Sequence, residues 1–188
     1  MIQKYLSLAL VFGLICFGSN GVRAMTIKEA YEAIPHRQTS YNPLQSVAPY
    51  VEQANLSRLF SLTDEAMRLR VSILYDLNTD QDVDLNMMNS VYDSILSHIK
   101  SLHVTKDADE AIDLIYQAII EQREFLTEWA KADKAKRNVY KRYNNHPAVQ
   151  RSHQKLLQAY NILMKSYPTE TAHNKQAFFD HLCALDFL

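Results

Sequence analysis

The sequence predicts an all-α fold: an antiparallel bundle of four to five helices behind a cleaved signal peptide, with a short N-terminal helix and an extended strap ahead of the bundle. Three observations carry this. The 188 residues include three glycines, Gly13, Gly18 and Gly21, so the chain beyond them lacks the residue that hairpin turns favour. Apolar residues recur at spacings of three and four, and no stretch sustains an apolar–polar alternation. Pro35, Pro49, Asn78, Asn144-Asn145, Pro147 and Pro168 cut the chain into lengths that suit helices.

Residues 1–24 read as a secretory signal. Lys4 supplies the positive start, Tyr5 to Phe17 is apolar apart from Ser7 and Gly13, and Val22-Arg23-Ala24 offers a small residue for cleavage. The apolar run is shorter than the ~20 residues of a membrane span; an uncleaved N-terminal anchor is the alternative. Leu14 and Ile15 before Cys16 are too bulky for a lipidation site. The expected organisation is then 1–24 signal, 25–46 short helix plus strap, and 47–188 bundle domain, with no membrane span in the mature chain. Signal length and composition suggest a bacterial envelope protein, periplasmic or secreted.

The elements follow in order. Thr26 and Glu29 form a capping box for a short helix that Pro35 stops. Pro35 and Pro43 bias Ile34 and Asn42 to extended backbone, and the strap from Pro35 to Gln45 is longer than most bundle connectors. The first long helix starts near Ser46, tolerates Pro49 in its first turn, and runs to about Tyr75, before the break at Asn78-Thr79-Asp80. The second spans about Asp84 to Leu102. The third starts at Asp107, boxed by Glu110, and is expected to continue to Tyr143. The fourth runs from Pro147 to about Ser166, and the fifth from about Thr169 to the C-terminus. Without glycine, turns that need positive φ must use Asn or Asp.

Projected at about 100° per residue, the second helix has one clean apolar face of Leu85, Met88, Val91, Tyr92, Ile95, Leu96, Ile99 and Leu102. The first long helix does not, because Arg70 falls in the middle of its apolar arc. Arginine cannot shed its charge, so burial demands an acid or carbonyls; alternatively its stem lies along the core edge with the head in water. Gln122 and Asp133 fall within the inner arc of the third helix and are the candidates to meet Arg70 in a polar core cluster. For Asp133 and Arg137 the competing reading is a helix that outruns the bundle into solvent.

His153 shares the expected inner face of the fourth helix with Val149, Leu156, Leu157, Tyr160 and Leu163, and His181 flanks the apolar face of the fifth. Bundles hold haem and metals between helices, and imidazole is the usual ligand, so His153 and His181 are candidate ligands for non-covalent haem or a metal. A satisfied core histidine is the ordinary alternative. The strap supplies His36, Arg37, Gln38, Thr39, Ser40 and Tyr41, donors that suit an anionic or polar ligand if the strap is a site and not a draped linker.

Several function classes are excluded or unsupported. The chain contains no C-x-x-C-H, H-E-x-x-H or paired E-x-x-H, and its glycines cannot build a P-loop, dinucleotide loop or nucleophile elbow. Formal net charge is −1, or −3 without Lys4 and Arg23, with no basic patch, so nucleic acid is a poor partner. Cys183 is alone once Cys16 leaves, so no internal disulfide forms; it reads as a small buried apolar residue, with an intermolecular disulfide or metal thiolate as alternatives. The expectation is an exported protein that acts by binding a protein or small molecule, with the haem or metal bundle as the alternative.

Overall fold

The computed structural model describes residues 28–29, 39–104 and 106–186. The leader, the expected short helix apart from residues 28 and 29, and the strap residues His36, Arg37 and Gln38 lie outside the described residues. Among those described, five α-helices pack together and no strand forms. They are α1 (Tyr50–Asn78), α2 (Leu85–Lys100), α3 (Lys106–Lys131), α4 (Pro147–Ser166) and α5 (Ala172–Leu185), with 3₁₀ stretches at Pro43–Gln45 and Lys134–Asn145. No helix among the described residues is long and apolar enough to cross a membrane.

α1 starts four residues later than the sequence suggests, because Pro49 stands at its N-cap in extended backbone (φ −54°, ψ 146°). Its C-terminus shows how a chain without glycine turns. Asp80 takes φ 57°, and the amides of Asp80 and Gln81 return to the carbonyls of Leu77 and Asp76. That is the Schellman pattern with aspartate in glycine's place. α2 begins where Asp84 accepts from the Asn86 and Met87 amides, each at 3.0 Å. α4 has the expected bounds; the His146 ring caps it by accepting from Ala148 N at 3.3 Å.

Two expectations are overturned. α3 does not continue to Tyr143: it stops at Lys131, and Lys134–Asn145 winds as a 3₁₀ helix with a break at Arg142. In that stretch only Arg137, Tyr140 and Tyr143 turn inward, followed by His146; the repeat of three is the 3₁₀ repeat. Tyr140 stacks on the buried Trp129 at 6.1 Å, and Arg137 donates to the carbonyls of Ala130, Ala132 and Gln81. Arg137 is therefore buried, and the solvated-end reading holds only for its neighbour Asp133.

The inner face of α4 is also rotated from the one expected. Val149, Leu156 and Leu163 are buried as expected and are joined by Ala148, Ser152 and Ala159, whereas Leu157 is exposed and His153 sits on the flank. Ser152 faces α3, whose Gln122 reaches its hydroxyl at 3.1 Å.

Candidate functional site

All five helices contribute to one buried polar cluster at the C-terminal end of α5. Arg70 from α1 donates through Nη2 to Ala184 O at 2.8 Å. Gln122 from α3 donates through Nε2 to Leu185 O at 2.8 Å and to Ser152 Oγ of α4 at 3.1 Å. Tyr92 of α2 lies close enough to Arg70 for the two to influence each other's charge. A helix C-terminus carries a partial negative charge and unmade carbonyl bonds, so it meets Arg70 with carbonyls, one of the two kinds of partner that its burial demands. Burial pushes the Arg70 guanidinium below its usual value, and Tyr92, Asp186 and Tyr143 oppose that shift. Burial drives the Tyr92 phenol upward. Arg70 and Gln122 are thus brought together as expected. Asp133 is not: it is exposed and pairs with Lys136 at 3.6 Å, because the helix that was to carry it inward has already ended.

The described part of the strap is bound along α5. Thr39 N donates to Asp180 Oδ2 at 3.1 Å. Asn42 and Asn174 exchange two bonds: Asn42 N donates to Asn174 Oδ1 at 2.8 Å, and Asn174 Nδ2 donates to Asn42 O at 3.0 Å. Glu170 accepts from Ser46 Oγ at 2.5 Å and Val47 N at 3.3 Å. Tyr41, a candidate ligand donor by sequence, instead places its ring in the core, 5.6 Å from Phe60 and 6.0 Å from Phe178. Burial pushes its phenol upward. Sequence reasoning missed Glu170, Asn174 and Asp180 as the strap's receptors. A signal was available for Asn174: it lies three and four residues before Ala177 and Phe178, on the apolar stripe of α5, and it is fully buried.

His153 and His181 each turn Nδ1 to a carboxylate, but not to the same place. His181 packs partly buried against Phe60, with ring centroids 4.8 Å apart, and its Nδ1 lies 3.1 Å from Asp64 Oδ1 of α1. His153 is 41% exposed at its side chain, and its Nδ1 lies 2.5 Å from Asp186 Oδ2, the C-cap residue of α5. The nearly buried carboxylate fixes the tautomer and ring plane, which leaves His153 Nε2 for another partner. Beside it a surface groove of about 350 Å³ is lined by Asn144, Val149, Gln150, His153 and Gln154. That is the low end of ligand-pocket volume, with three amides and one imidazole for polar recognition.

No hydrogen bond or ring contact joins the two imidazoles, and among the described residues no group of three or more His, Cys, Asp or Glu could hold a metal ion. No family model matches the chain, and no curated protein or solved structure matches it either.

Proposed function

We propose that this chain is an exported protein, periplasmic or secreted, that acts by binding a polar ligand or partner, with the groove beside His153 as its point of contact. The observation that carries this reading is the His153–Asp186 pair. A half-exposed imidazole held in one orientation by a nearly buried carboxylate is preorganised, so little side-chain entropy is lost when Nε2 takes a partner. Asn144, Gln150 and Gln154 add neutral donors and acceptors, an array that suits peptide amides, sugar hydroxyls or a carboxylate. The leader-like residues 1–24 support the exported setting. A thermal-shift screen against amino acids, dipeptides, sugars and carboxylates tests it. Ligands that raise the wild-type Tm should fail to raise that of His153→Ala. Hits that shift both chains equally would place the contact elsewhere.

A second reading keeps His153 or His181 as a ligand to haem or a metal. Its support is the Nδ1–carboxylate bond at each ring, the arrangement that orients ligating imidazoles. An absorbance spectrum of the chain purified without chelator from haem-replete cells decides it. A Soret band lost in His153→Ala or His181→Ala establishes a haem bundle, and a spectrum of tyrosine and tryptophan alone removes that branch.

A further inference from the structure

We propose that His146 makes the groove beside His153 acid-labile: its ring closes the first turn of α4 while neutral and releases it when protonated. This rests on the reading of that groove as the point of contact and adds its regulation. The geometry of the cap carries it. His146 is the N-cap of α4, and its Nδ1 accepts from Ala148 N at 3.3 Å. A backbone amide can only donate, so Nδ1 must present a lone pair, and the one proton of the neutral ring stands on Nε2. The usual capping side chains, Ser, Thr and Asn, accept at any ordinary pH, whereas an imidazole accepts there only while neutral. A proton on Nδ1 sets two donors against each other and places a positive charge at the positive end of the helix. The first turn of α4 contains no acid to offset it.

One carboxylate faces the ring from another element. Glu128 of α3 has Oε2 3.5 Å from His146 Nε2. Its side chain is 56% exposed, and its Oε1 already accepts from Tyr140 Oη at 2.9 Å. Its pull on an imidazolium is that of a surface pair, weaker than the cap and the helix dipole together. Phe125 and Tyr140 pack on the ring with centroids at 4.8 and 6.2 Å. Among the charged residues flanking it in the chain, Lys141 and Arg142 are exposed cations, and Arg151 of α4 pairs with Glu121 at 2.7 Å. The consequence falls on the groove. Asn144, Val149 and Gln150, three of its five lining residues, stand on either side of the cap. Opening the turn releases the Gln150 amide from His146 O, a bond of 3.0 Å, and takes one wall from the groove. His153 itself is held from α5 by Asp186 and stays in place. A ligand in the groove is held near neutrality and let go in acid.

NMR of the chain without ligand tests this. Between about pH 7.5 and about pH 5, the Ala148 and Gln150 amides should lose about fivefold in protection, the worth of an N-cap, after correction for the pH dependence of exchange itself. The loss should share its midpoint with the titration of the His146 ring. In His146→Asn, whose side chain caps at either pH, both amides should keep their protection in acid. Protection that is unchanged or raised in the wild type while the ring titrates would mean that Glu128 holds the turn closed, and overturns the proposal. A His146 ring that stays neutral at about pH 5 overturns it too. So does an equal acid loss in His146→Asn, which would assign the opening to another group. If that variant fails to fold, the wild-type titration decides alone, because the Ala148 amide shift either follows the His146 ring or does not. None of these outcomes involves a ligand, so a ligand screen without hits would sink the binding reading and leave the acid-labile turn standing.

Discussion

Arg70 and Gln122, from different helices, hydrogen-bond consecutive carbonyls, those of Ala184 and Leu185, at the end of α5. Both are addressed to a helix terminus. Removing Gln122 strands Leu185 O and Ser152 Oγ in the core, so Gln122→Leu should cost about 1–3 kcal/mol in urea unfolding followed by Trp129 fluorescence. Arg70→Ala adds a cavity and should cost about 3 kcal/mol or more. Arg70→Met, which keeps the stem volume, should recover much of that. The double variant should lose less than the sum, since both act on one helix end. An Arg70→Ala chain as stable as wild type would show that α5 does not depend on this clamp.

Tyr41 separates a core anchor from a ligand donor. As an anchor, Tyr41→Ala should cost about 3 kcal/mol, as other buried aromatics do, while Tyr41→Phe should stay within about 0.5 kcal/mol in a thermal melt. A Tyr41→Phe variant that keeps its stability but loses a binding activity would return the hydroxyl to a functional role.

Glu121 gives the fold a defined acid sensitivity. Hydrogen bonding from Arg151 foremost, with Lys155 adding to it, holds its carboxyl below the ordinary glutamate value. The contacts are 2.7 Å to Arg151 and 3.0 Å to Lys155. A depressed carboxylate stabilises the fold above its unfolded pKa of ~4.3, and that contribution disappears as pH falls through the lower folded value. Glu121→Gln should therefore cost about 1 kcal/mol at neutral pH, with the gap to wild type closing in acid and narrowing at high salt. A gap of constant size down to pH ~2 would show that packing, not charge, is what the substitution removes.

Cys183 is half-buried, and burial, with Asp186 and Asp180 nearby, pushes its thiol up to about 12. At pH 8 about one thiol in 10⁴ is then ionised, so a thiol reagent should label native protein slowly and urea-unfolded protein at once. Rapid labelling of the native chain would reopen the thiolate and intermolecular disulfide readings.

What the sequence made legible is what local chemistry encodes. The Asp84 cap, the bounds of α4 and the use of an aspartate where φ is positive all follow from side chains adjacent to the backbone they serve. The 3₁₀ stretch was encoded too, in the period of three from Arg137 through Tyr140 and Tyr143 to His146, but helix-forming lysines around it masked the signal. That a buried Arg70 would turn to an acid or to carbonyls was legible, but which carbonyls was not, because the end of α5 lies 114 positions away and its charge belongs to no residue type. His153 was misplaced because a wheel ranks faces by apolar mass, while α4 turns the polar Ser152 toward Gln122 of α3. The strap's receptors were half legible: Asn174 stood on an apolar stripe and invited the question of what it binds.

A glycine cap forms with its own helix, but α5 is closed by residues 63 and 114 positions away. Its final turn can be satisfied only when α1, α3 and α4 are already in place. The end of a helix ordinarily frays first, and its amide protons exchange through small local openings. Here the last turn of α5 should exchange by way of the same opening as the core, which ties the fate of that turn to the cooperativity of the whole molecule.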